Sequence, residues 1–149
     1  MSHLIEFDQT YAYSLSDVGI AVSVNLFRNK KEVAFDAKID TGSTFCIFQR
    51  LHGELLDLTI ESGVPVDIGT ATGSFRAFGH EITIEVLKIK FVSTVYFAES
   101  EYFDRNVLGR IGWLNKVKLG LIDDKRQIVF EQTHRQFLIK NCFYRQLKN

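Results

Sequence analysis

GIAVSVNLFRNKKEVAFDAKIDTGST, residues 19–44, decides the fold class. Ile20, Val22, Val24 and Leu26 fall at every second position, the polar RNKKE follows, and the alternation resumes with Phe35, Ala37 and Ile39. Successive side chains of a strand point to opposite faces, so an apolar set with period two predicts two strands joined as a hairpin. The second strand runs directly into Asp40, which is followed by Thr41, Gly42 and Ser43. A carboxylate in that position is costly unless it is hydrogen-bonded or put to use. As local chemistry the stretch also reads as a turn, because Asp side chains accept from nearby backbone N–H groups and Gly tolerates positive φ.

Outward from this stretch the pattern stays β. TFCIF (44–48) reads as a further apolar strand, and QRLHGELLDL (49–58) has the Leu51, Leu55, Leu58 spacing of a short helix interrupted by Gly53. VPVDIGTATGSFRAFGHEITIEVLKIKF (64–91) alternates on both sides of a Thr- and Gly-rich turn, predicting a long ribbon with an exposed tip, and STVYFAES (93–100) offers one more strand. In WLNKVKLG (113–120) and its continuation, Trp113, Leu114, Val117 and Leu121 stand three and four residues apart, which predicts a helix beginning near Gly109 to Gly112. DDKRQIVFE (123–131) reads as a turn and strand, and the basic, aromatic tail to Asn149 as a strand, an amphipathic helix or a subunit contact.

Composition bounds the function. With 149 residues, 46% hydrophobic and 24% charged, the chain suits one compact domain spanning 1–149. Lys plus Arg and Asp plus Glu number 18 each, so no global field draws the chain to nucleic acid or an acidic membrane surface, and neither is expected as a partner. No stretch approaches the roughly 18 consecutive apolar residues of a membrane span, and the acidic start does not read as a signal peptide. Cys46 and Cys142 form no disulfide framework and no four-ligand zinc set. A soluble, cytoplasmic protein is the expectation. His3, His52, His80 and His134 lack metal-ligand spacing, Gly-x-Ser-x-Gly is absent, and no phosphate-binding G-x-x-x-x-G-K-[ST] occurs. No metal and no cofactor are expected.

A second constellation changes the weight of Asp40. Asn106 precedes Val107-Leu108-Gly109-Arg110, two branched apolar residues and a glycine leading into the expected helix. With Asp40-Thr41-Gly42-Ser43 before it and a Gly-tipped ribbon between, the chain resembles the retropepsin-like aspartic proteases over residues of about 19–131, leaving a C-terminal extension of about 132–149. The resemblance implies an all-β, half-barrel acid-protease fold with one late α-helix and a flap hairpin. It further implies that Asp40, Thr41, Gly42 and Ser43 are the catalytic loop, and that GTATGSFRAFG (69–79) is the flap, with Thr72, Gly73, Ser74 and Phe75 meeting substrate. Val107, Leu108, Gly109 and Arg110 would support the loop from behind. Thr41 would bond across a two-fold axis, Gly42 would bond the carboxylate through its N–H, and Ser43 would donate to Asp40. Phe75 and Phe78 fit substrate subsites and plain core equally well. The acidic residues that follow the triplet in the retroviral enzymes are replaced here by TFCIFQR, which leaves Arg110 without an assigned partner.

Peptide hydrolysis needs a base for the water and an acid for the carbonyl oxygen. Two adjacent carboxyls supply both, because like charges in contact cannot both ionise and so share a proton. The chain has one such triplet. Asp67-Ile68-Gly69 lacks the hydroxyl residue and lies within the ribbon. The second carboxylate must therefore come from another copy, and the expected partners are the chain itself, as a homodimer, and a polypeptide substrate. The alternative is a non-catalytic peptide-binding or assembly module on the same scaffold.

Overall fold

The computed structural model describes residues 4–14 and 19–133. The expectations for the tail, including Cys142 and most of the C-terminal extension, lie outside the described residues.

The opening hairpin forms as the alternation predicts. Strands β2 (Ala21–Arg28) and β3 (Lys31–Ile39) pair antiparallel, with Val24 opposite Phe35. Val22, Val24, Leu26 and Ala37 are buried, each large side chain contributing about 1.5–3 kcal/mol by leaving water. The turn between them is Asn29-Lys30, both with positive φ (48° and 66°), the backbone that a two-residue hairpin needs to match strand twist.

Strand β1 is Gln9–Ala12, β4 Ile47–Phe48, β5 Val64–Thr70, β6 Gly73–Val86, β7 Ile89–Ala98, β8 Val107–Leu108, β9 Val117–Ile122 and β10 Gln127–Gln132. Seven of them form one sheet in the order β2-β3-β8-β4-β7-β6-β5, and β2 also pairs with the far end of β6, so the sheet closes on itself around the core. Val24, Leu26, Phe48, Ile84, Phe97 and Leu108 are fully buried there. The fold class is therefore mostly β, as expected. β8 threads between β3 and β4, parallel to the first and antiparallel to the second. That insertion forces the connection from β3 to β4, residues 40–46, to loop around the end of β8.

Several expectations are corrected. The late α-helix is absent from the described residues. Leu114–Lys116 is a single 3-10 turn, and Val117–Ile122 continues as β9, paired with β10 from Val117↔Gln132 to Ile122↔Gln127. Val117, Leu119 and Leu121 satisfy period two as well as helical spacing, and sheet pairing decides between them. Gly120 fits the strand: a Cβ there would lie 2.9 Å from Val129 Cγ2 and 3.1 Å from the Phe7 ring.

The α-helix that is present, α1, spans Arg50–Glu54, where leucine spacing predicted one. Its facing differs from that spacing, since Leu51 and Leu55 are exposed while Leu56 is buried. Gly53 does not break it but lets it dock, because a Cβ would sit 2.5 Å from Ile60 Cδ1 and 3.0 Å from the Phe97 ring. The ribbon also ends earlier than expected. Leu87-Lys88, both with positive φ (51° and 63°), turn the chain, and β7 begins at Ile89. Finally, the core begins before residue 19: β1 pairs with β10, and Tyr13 is buried with its hydroxyl donating to Asp123.

Candidate active site

β3 delivers Asp40 to the rim of the sheet. The Asp40 N–H donates to Leu108 O at 3.0 Å, fixing the end of the strand against β8. The chain then turns, with Ser43 N–H donating to Asp40 O at 3.2 Å and Gly42 N–H donating to Asp40 Oδ1 at 2.8 Å. Asp40, Thr41 and Gly42 are exposed on the single chain. Thr41 thus stands free to meet another surface, and Asp40 has no second carboxylate of its own chain hydrogen-bonded to it among the described residues. Ser43 does not make the bond expected of it. Its Oγ donates instead to Phe45 O, the carbonyl two residues on, at 2.9 Å.

The loop is clamped from behind by the second motif. Arg110 N–H donates to Ser43 O at 2.9 Å, Ile111 N–H to Thr44 O at 2.7 Å, and Cys46 N–H to Ile111 O at 3.2 Å. Leu108 is fully buried beneath it. At Gly109 a Cβ would lie 2.2 Å from Phe45 O and 2.9 Å from Ser43 O, both backbone atoms, so no side chain is compatible with this approach. The spacing of Val107-Leu108-Gly109-Arg110 is in this way explained by contact with residues 40–46. Val107 pairs with Lys38 and Ile47, and the exposed Arg110 side chain makes no ion pair among the described residues. Asn106, singled out only as a polar neighbour in the sequence, proves to be a tie. Its Oδ1 accepts from Gln49 N–H at 3.0 Å and its Nδ2 donates to Asp36 O at 3.3 Å, joining β3 to the start of α1.

The β5–β6 ribbon turns at Ala71-Thr72, and Thr70 Oγ1 donates to Gly73 O at 3.1 Å across the tip. Thr72, Gly73 and Ser74 are exposed, and Gly73 has open space around it. Phe75 stacks at 4.8 Å on Phe103, whereas Phe78 is buried and belongs to the core. Asp67 lies opposite Arg76 and accepts from it at 2.9 and 3.2 Å. Arg76 holds the Asp67 carboxyl below its usual range. Asp67 is thereby engaged within the ribbon.

Clefts open on either side of the Asp40 loop. One, of about 240 Å³, lies between Gly42–Phe45 with Ile47 and Asp67–Gly69 of β5, and so brings the loop and the ribbon base together, though the tip residues Thr72–Phe75 do not line it. The other, of about 580 Å³, has Asp40 in its wall with Lys38, Asp104 and Arg105, residues that the sequence alone did not single out. Cys46, the one potential nucleophile nearby, is buried, and desolvation pushes its thiol up to about 12, which keeps it protonated and inert. Among the described residues no group of His, Cys, Asp or Glu is arranged to hold a metal. No helix among them is long and apolar enough to cross a membrane. No protein-family model matches the chain, and no curated protein matches it either.

Proposed function

We propose that the chain is an aspartic endopeptidase of the retropepsin-like type, active as a homodimer on extended polypeptide. The observation that carries this reading is the seat of Asp40: a carboxylate at a strand end, held by Gly42 N–H at 2.8 Å, on a loop clamped by a glycine that admits no side chain. The Gly42 bond is one an ordinary turn aspartate also makes; the glycine clamp behind the loop is what such a turn has no need of. The exposure of Asp40 and Thr41 on the single chain suits a surface completed by a second copy, whose two-fold axis would pass between the two Asp40 carboxyls.

In that dimer the two carboxyls share one proton. The ionised one removes a proton from water as the water oxygen attacks the peptide carbonyl carbon. The protonated one donates to the carbonyl oxygen, giving a neutral gem-diol. Collapse of the diol expels the amine, which leaves with the proton first taken from water, and the shared proton is restored. The ribbon tip at Thr72–Ser74 would supply backbone groups to the substrate and exclude water.

The test is cleavage of an unstructured protein at mildly acidic pH. It should be blocked by a pepstatin-type inhibitor and lost in Asp40→Asn, with the circular dichroism spectrum unchanged. Cleavage that persists in Asp40→Asn removes the catalytic assignment and leaves the peptide-binding module as the better account.

A further inference from the structure

The cavity of about 580 Å³ beside Asp40 takes no part in the chemistry above, and its wall is charged: Asp36, Lys38, Asp104 and Arg105 line it together with Asp40. All five side chains are exposed, and none forms an ion pair among the described residues. They are available to a ligand.

Strand geometry sets the order in which a ligand meets them. Asp36, Lys38 and Asp40 alternate along one run of chain, so they share a face with about 7 Å between neighbours. Lys38 stands opposite Val107 of the parallel β8, and its N–H donates to Asn106 O at 2.9 Å. Arg105 and Asp104 precede Asn106, whose side chain donates to Asp36 O at 3.3 Å, on the side of Lys38 away from Leu108. The first charge met on leaving Asp40 is the cation Lys38. Its stem runs near Gly19, where a Cβ would stand in ordinary contact at 3.5 Å from Lys38 Cδ. Asp36 stands one strand repeat farther from Asp40 than Lys38, so its charge acts on side chains farther from the reacting bond.

We propose that this cavity is a side-chain pocket of the Asp40 site in which Lys38 selects an acidic residue beside the scissile bond. The proposal rests on the aspartic endopeptidase reading. Two-fold symmetry would place a Lys38 on each side of the bond, so the preference applies to either flanking position.

The test separates binding from cleavage. Octapeptides identical but for Glu, Gln or Lys beside the central bond are titrated by fluorescence anisotropy against the Asp40→Asn chain, alone and combined with Lys38→Met or Lys38→Glu. An exposed ion pair predicts that the Glu peptide binds about threefold tighter than the Lys peptide at low salt. The preference should vanish in Lys38→Met, reverse in Lys38→Glu and fade as salt is added. Equal affinities, or a preference that survives Lys38→Glu, overturn the pocket assignment. Cleavage of the same peptides by the unsubstituted chain, with Asp40→Asn as blank, reads the peptidase separately. Cleavage without charge preference removes the pocket alone, and charge-selective binding without cleavage removes the peptidase alone. Failure to bind any of the peptides removes the pocket, whatever cleavage shows.

Discussion

Gly109 and His52 show how much one position can carry. Gly109 was legible in the sequence as part of a motif, but the reason for it lay in the fold: it faces backbone at 2.2 Å, a contact no pattern along the chain can display. His52 stood out in the sequence only as one of four histidines without metal-ligand spacing. Its ring stacks on Phe35 at 3.9 Å, and both ring nitrogens are buried without a partner. Desolvation lowers its pKa, so the folded chain favours the neutral ring. The unfolded chain takes up a proton at the ordinary value of about 6.5, hence stability is full above that pH and declines as pH falls towards the lower folded value. Urea midpoints at pH 7.5 and 5.0 should therefore differ, and the difference should shrink in His52→Leu; an unchanged difference would assign the acid sensitivity to other groups. Acid thus weakens the packing of α1 on β3, the contact that the His52–Phe35 stack makes.

Among the elements, strands were readable and turns only in part. β2, β3, β5 and β10 follow from alternation bounded by polar residues, and the Asn29-Lys30 turn from its composition. Leu87-Lys88 escaped because neither residue favours positive φ; Leu87 is held there by packing against the core, not by local preference. Left-handed backbone at Lys88 costs a non-glycine residue about 1 kcal/mol, and Lys88→Gly should recover about 0.5–1 kcal/mol of stability in chemical denaturation. A loss of stability instead would mean that the Lys88 side chain contributes more than its backbone costs. β9 was mistaken for a helix for the opposite reason, since its apolar spacing suits both periods and only its partner β10 selects one.

For the whole molecule, the β class and a loop bearing Asp40 were legible, whereas the closure of the sheet by β2 on β6 and the joining of β1 to β10 were not. Both depend on pairing between segments far apart in sequence. The assembly required by a shared site makes a quantitative demand. Activity per chain should fall on dilution, following the fraction of dimer seen by sedimentation, and full activity in a monomeric sample would contradict a site built from two copies.

β6 lives in two mechanical settings. From Ala77 to Val86 it is fastened to β7, and Arg76 O still accepts from Glu99 N–H at 2.9 Å, but from Gly73 to Phe75 its strand pairing is with β5, with Phe75 also packed on Phe103. At roughly 3.4 Å per residue the outer part is a two-stranded stretch about 10 Å long. Bending there disturbs neither the closed ring nor Phe78 at its root. A bend confined to that stretch moves the ribbon tip at Ala71-Thr72 and leaves the pairing of β2 on β6 as it is.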